Sequence, residues 1–226
     1  MSNQLHNRLE SLKLEMKSYF DLVLKQVEMA KKACLDFDQN SITKIISNEK
    51  LVNELELKID DECESILSLY NPMAKDLRYI LAVYEINHEL ERISDISDSI
   101  ADYLVLINKP FDLDLLNICD VDKMFDVAKK MYQKSISAFL NEDTESALSI
   151  LEDDEKLNYF NAKAASSITD FLKKNNYRDI ENSFFMFSIM RKIEKLGDHI
   201  KNIGEEIVFF VDSKNIKHQD KKRFEK

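Results

Sequence analysis

The octapeptide HELERISD, residues 88–95, returns as RKIEKLGD at residues 191–198, so that Glu91 and Asp95 are matched by Glu194 and Asp198. The two glutamates stand 103 positions apart in a chain of 226, close to half its length, which points to an internal repeat. The match extends outward on both sides. SNEKLVNELELKIDDE (47–62) lies over EDDEKLNYFNAKAASS (152–167) at an offset of 105, which sets Asn53 on Asn158. KDLRYI (75–80) then lies over RDIENS (178–183) at 103. The offset changes by two at a turn, where loop length costs little.

The repeated unit is helical. Only two glycines and two prolines punctuate the chain, while 44% of it is hydrophobic and 33% charged. A β-protein needs many turn residues, and a disordered chain lacks this much apolar side chain. Apolar periodicity predicts helices over 4–36, 40–70, 74–108, 114–141, 143–174 and 178–212. Pro110 marks the boundary between halves. The expected architecture is all-α: two tandem three-helix bundles, 1–110 and 111–212, related by internal pseudo-symmetry and followed by a basic polar tail, 213–226. A frayed end is the expectation for that tail.

The net charge of −10 disfavours binding to phosphate backbones, and no basic patch is concentrated within the folded part. Cys34, Cys63 and Cys119 are odd in number and widely spaced, as expected of buried or free thiols in a reducing compartment. The N-terminus lacks the apolar stretch of a signal peptide, and the longest apolar run, FFMFSIM (184–190), is too short to span a bilayer. A soluble, cytoplasmic protein that does not insert into the membrane is expected.

On the helix over 74–108, Ile86, Leu90, Ile93, Ile100, Leu104 and Ile107 fall on one stripe. Ile189, Ile193, Leu196, Ile200, Ile203, Ile207 and Val211 repeat it on the helix over 178–212. Off those stripes stand Glu91, Asp95, Asp98 and Asp102 in the first half, and Glu194, Asp198, Asn202 and Glu205 in the second. For any one pair the plain reading is a solvated helix face. Like charges at i, i+4 nevertheless disfavour a helix slightly, so a row without interleaved lysine carries a cost. A second row, Glu49, Asn53, Glu56 and Asp60, runs along the preceding helix. Neighbouring helices would bring both rows to a shared surface, where oxygen-only ligands suit hard cations such as Mg²⁺, Ca²⁺, Mn²⁺ or iron. Gly197 and Gly204, with Ser94 and Ala101 at the equivalent positions, flank the acidic row, either for close helix approach or to leave space beside the carboxylates.

With these residues in view, NPMAKDLRYILAVYEINHELERISDISDSIAD (71–102) and IMRKIEKLGDHIKNIGEEI (189–207) resemble the PhoU family of phosphate-uptake regulators. The resemblance rests on the corner Pro72, Asp76, Leu77 and Arg78, and on the acidic signatures Glu91/Asp95 and Glu194/Asp198. It implies metal ions at those signatures (iron, zinc, manganese or magnesium), with Glu49 and Asp154 of the adjacent helices as further ligands. It implies a regulator with no enzymatic activity, a homodimer, that couples the ATPase of the phosphate ABC transporter to a sensor histidine kinase. Departures are visible: Ser94 stands where the family usually has glycine, Glu49 replaces a common aspartate, and NNYRDIEN (175–182) lacks the corner proline.

Other readings remain open at this level. A ferritin-like di-iron bundle needs inward Glu-x-x-His pairs from two helices. Glu85 and His88 supply one, but Ser188 and Arg191 stand at the equivalent positions. The four histidines, His6, His88, His199 and His218, read as surface groups or groups supporting the carboxylates. A metal-free helical scaffold, or an accessory protein of an inorganic-phosphate permease, would share the fold.

Overall fold

The computed structural model describes residues 2–217. They form α1 (Ser2–Asp36), α2 (Gln39–Tyr70), α3 (Lys75–Ile107), α4 (Leu113–Ile118), α5 (Val121–Asn141), α6 (Thr144–Lys174) and α7 (Ile180–Asp212), with no strand among the described residues. Helices α1–α3 make one three-helix bundle and α5–α7 another. The two halves join through α3 against α7 and α1 against α5, so each joining helix meets its own counterpart.

Local chemistry places the ends. Asp38 caps α2 by accepting from the Ser41 amide at 2.9 Å and the Ser41 hydroxyl at 2.6 Å. Asp143 caps α6 in the same way, accepting from the Ser146 amide at 3.1 Å and hydroxyl at 2.6 Å. The two caps stand 105 positions apart, the offset at which the following segments align. Helix α2 ends on Asn71 in the left-handed region (φ 53°), with Pro72 behind it to prevent continuation. Helix α3 ends on Asn108, whose amide returns to the Leu104 carbonyl at 3.0 Å.

Two expectations need correction. The helix expected over 114–141 is two helices, broken at Cys119–Asp120. Asp120 takes φ 51°, a left-handed conformation that Asp tolerates better than most residues. The break lets Leu115 and Leu116 turn inward on α4 before α5 sets off along α1. Nor are the first residues of the tail frayed: Ile216 is buried, and the Lys217 ammonium meets the buried Glu206 carboxylate at 2.5 Å. The rest of the tail, His218 included, lies outside the described residues.

The apolar stripes face the core as their periodicity requires. Ile86, Leu90, Ile93, Ile100 and Leu104 of α3, and Ile189 through Ile207 of the α7 stripe, are all buried; only the terminal Ile107 and Val211 are partly open. An aromatic joint locks the halves together. Phe139 lies 5.3 Å from Phe20 and 6.1 Å from Phe210, ring centre to ring centre, and Tyr79 stands edge-on to Phe210 at 5.5 Å. The buried Tyr132 hydroxyl donates to the Phe20 carbonyl at 3.1 Å.

Helices α6 and α7 approach closely at the two glycines. A Cβ on Gly204 would lie 3.1 Å from the Ala147 carbonyl oxygen, and one on Gly197 only 2.4 Å from Leu157 Cδ1 and 3.5 Å from Asp154 Oδ1. Close approach is thus present at both glycines, and at Gly197 the Leu157 side chain fills the position beside Asp154. Gly204→Val should lower stability by roughly 1–3 kcal/mol through overpacking, read as a lower urea midpoint. An unchanged midpoint would mean that α6 is free to retreat.

Candidate cation site

Two elements supply the carboxylates in each half. In the first, Glu91, Asp95 and Asp98 stand half-buried on the strip of α3 facing α2, and Asp102 lies exposed at its end. They are half-buried because α3 is flanked by α1, α2 and α7 together, which leaves little of its circumference to water. Glu91 and Asp95 stand four residues apart on the same strip of α3. Burial, then the Asp95 charge, pushes the Glu91 carboxyl up to about 7. Burial, then Asp102 and Glu49, pushes Asp98 up to about 6.

The α2 row meets this strip turn by turn. Glu56 is the α2 carboxylate that acts on Glu91, while the exposed Glu49 acts on Asp98 further along. Glu56 Oε1 lies 3.1 Å from His88 Nδ1 and accepts from it in the tautomer that carries the proton there, and Asp60 accepts from the buried Asn87 amide at 2.8 Å. Among the described residues, the cationic side chain paired with Glu91 and Asp95 is Arg92, at 3.4 and 3.6 Å; it reaches them from the rim, with 63% of its side chain exposed.

In the second half Glu194, Asp198 and Asp154 neighbour one another across α6 and α7, but lysines stand among them. Lys201 Nζ lies 3.5 Å from Asp154 Oδ2 and Lys195 Nζ lies 3.2 Å from Asp198. Burial raises Asp154 despite the opposing Lys201, and burial followed by Asp198 raises Glu194. The adjacent Asp153 contrasts with both. Burial alone would raise it, yet Lys134 and Lys156, each at 2.5 Å, hold it below the usual carboxylate range.

All six residues expected as ligands therefore lie on the two helix-pair surfaces, with Glu49 opposite Asp98, about two turns along from Glu91, and Glu56 nearer to Glu91. No three His, Cys, Asp or Glu side chains form a ready-made metal shell among the described residues. The donor chemistry of the first half still fits a hard cation: it is oxygen-rich and short of positive charge. Asp98 Oδ1 is buried there without a hydrogen-bond partner. In the second half Asp154 Oδ1 is likewise buried and unpartnered. Sequence reasoning passed over Tyr19 and Lys201; Glu56 and Asp98 were visible in the acidic rows but not among the chosen ligands.

The halves also meet through polar pairs. Asn202 donates to Glu89 Oε1 at 3.0 Å and Lys192 donates to Ser99 at 3.2 Å. At the offset of 103 these two pairs occupy equivalent positions, as a two-fold relation between the halves requires. His199 Nδ1 lies 2.6 Å from Glu89 Oε2, so His199 ties the halves together and lies beside, rather than in, the acidic surfaces.

Comparison with known proteins settles the family. The model of the PhoU domain matches twice, over residues 16–104 and 121–207. This chain belongs to the PhoU family. It is 31% identical over 212 residues to a phosphate-specific transport system accessory protein PhoU homolog of Borreliella burgdorferi, covering 91% of this chain and 94% of that protein. Homolog 1 of Thermotoga maritima is 26% identical, over 92% of this chain and 89% of its own. The crystal structure of PhoU from Pseudomonas aeruginosa superposes with a TM-score of 0.86 at 26% identity, over 92% of this chain and 99% of that one. The PhoU fold and its two-fold repetition are thereby shown, and no described helix is long and apolar enough to cross a membrane.

The raised Glu91 carboxyl carries a sign. Between its ordinary 4.5 and its folded value of about 7, the folded chain holds a proton that the unfolded chain has released. Stability is therefore full below that window and falls as pH rises through it. Chelator-treated protein should lose on the order of 1–3 kcal/mol between about pH 5 and about pH 8, measured by urea unfolding. Glu91→Gln should flatten that slope. A variant with the wild-type slope would remove Glu91 as its source.

Proposed function

We propose that this chain regulates phosphate uptake and the phosphate-starvation response. In this reading it is a cytoplasmic, non-enzymatic adaptor, working as a homodimer between the phosphate ABC transporter ATPase and a sensor histidine kinase. The observation that carries the proposal is the double PhoU-domain match along a chain of nearly the same length as relatives named for the phosphate-specific transport system.

Cations at the two acidic surfaces belong to the proposal. Glu91, Asp95 and Glu49 of the first half, and Glu194, Asp198 and Asp154 of the second, would hold iron, zinc, manganese or magnesium, with Glu56 and Asp98 contributing beside them. Bound there, a cation supplies positive charge to carboxylates that now raise one another's proton affinity. The side chains themselves do the rest: Asn87 and His88 hold the α2 carboxylates in place, and the aromatic joint keeps the two surfaces in fixed relation.

Docking onto protein partners is supported at one end of the molecule. The Lys109–Asp179 and Lys174–Asp114 pairs, at 3.1 and 3.2 Å, bring the loop after α3 beside the loop before α7. Leu106, Leu113, Tyr177 and Phe184 are exposed around that junction. The net charge of −10 calls for complementary basic patches on partners, so association should weaken as salt rises.

Deletion of the gene should leave phosphate-starvation genes expressed in phosphate-rich medium. The tagged protein should co-purify the transporter ATPase or the kinase at low salt and lose them at high salt. Normal repression in the deletion strain, together with neither partner captured at low salt, would overturn the proposal.

A further inference from the structure

The two acidic surfaces occupy equivalent places in the repeat but differ in side chains: at the offset of 105 Glu56 and Asp60 are replaced by Asn161 and Ala165, and two further differences stand out. Tyr19 of α1 is completely buried, and its hydroxyl has no hydrogen-bond partner. The Glu15–Lys58 ion pair at 3.0 Å and the Gln26 amide on the Ile45 carbonyl at 3.2 Å set the register of α1 against α2 and bring Tyr19 within about a turn of Glu56, where the charges of Glu56, Glu91, Asp95 and Asp60 all act on its phenol. A buried hydroxyl left unpaired needs a reason. The two matched domains begin at residues 16 and 121, and that offset sets Met124 at the position of Tyr19. The second half has no hydroxyl there.

The other difference concerns charge. The offset of 103 sets Lys201 at the position of Asp98. A carboxylate with a buried, unpartnered Oδ1 in one half is an ammonium in the other, 3.5 Å from Asp154 Oδ2. The first surface has Arg92 at its rim and His88 on Glu56; the second has Lys195 and Lys201 on its own carboxylates. Asp154 Oδ1 is buried and unpartnered in the second surface, and a cation reaching it meets the Lys201 ammonium on the other oxygen of the same carboxylate.

We infer that the two halves are unequal cation sites, in which Tyr19 is a positioning residue for the tight first-half site and Lys201 a built-in counter-ion that weakens the second. The inference rests on the cation reading of the proposed function. Carboxylates drawn inward around a cation come within reach of the Tyr19 hydroxyl, which donates to one of them while the oxygens of Glu56, Glu91 and Asp95 face the ion. The phenol keeps its proton throughout. Only in the loaded site does the hydroxyl find its partner.

Calorimetric titration of chelator-treated, full-length protein with Mn²⁺ tests this. Wild type should show one tight site and a second at least about tenfold weaker. Tyr19→Phe keeps the ring and removes an O–H that bonds to nothing in the cation-free chain. Its cation-free melting temperature should match wild type, while its tight site weakens by about 10–100-fold, as when a group supporting metal ligands is lost. Lys201→Gln should tighten the weak site and leave the tight one unchanged. Two equal sites in wild type, an unaltered tight site in Tyr19→Phe, or an unaltered weak site in Lys201→Gln would each overturn the inference. If Glu91→Gln abolishes binding that Tyr19→Phe leaves intact, the cation reading survives and this inference fails. If wild type takes up no Mn²⁺, both fail.

Discussion

Helices α3 and α7 must crowd their charged side chains onto the part of each helix that packing leaves open. Each is packed into its own bundle and also against the other, so most of its circumference is apolar contact. What remains is a narrow strip facing the preceding helix, and on α3 that strip carries Glu91, Asp95 and Asp98. Partial burial there costs solvation and, with crowding, raises the proton affinity of Glu91 and Asp98. A protein selected for stability alone would place lysines in such a strip. The first half does not, and its carboxylates remain available to an outside cation.

The repeat then diverges without disturbing its frame. Glu89 with Asn202 and Lys192 with Ser99 are equivalent pairs, and the serine-bonded aspartate caps of α2 and α6 recur at the offset of 105. Around that conserved frame the details were free to change. The left-handed residues Asn176, Tyr177 and Asp179 take the place of the Pro72 corner, and Lys201 takes the place of Asp98. Two copies of one surface therefore differ in electrostatics while sharing helices, caps and packing.

Much of this was legible in the residue order. Apolar spacing is a local signal, and every buried isoleucine of the α3 and α7 stripes falls where the periodicity put it. The repeat and the acidic rows were readable for the same reason. The break at Asp120 was not, because it depends on where α5 must run to meet α1, and the sequence around it is helix-compatible. Tyr19 was hidden for a different reason. It sits on the buried stripe of α1 beside Phe20, and only the packing of α1 against α2 and α3 brings it near their carboxylates. Glu49 and Glu56 could be ranked only once the rotation of α2 against α3 was known.

In the proposed function the acidic strip of α3, met by Arg92 at its rim, is otherwise left to be occupied by a cation. Thermal unfolding followed with and without cation addresses it directly, because a ion that binds the folded chain raises its melting temperature with concentration. At about pH 7.5, Mn²⁺ added to chelator-treated protein should raise the midpoint progressively, and a Glu91→Gln, Asp95→Asn double variant should lose most of that rise. A midpoint indifferent to Mn²⁺ in wild type, or a rise of the same size in the double variant, would contradict the account.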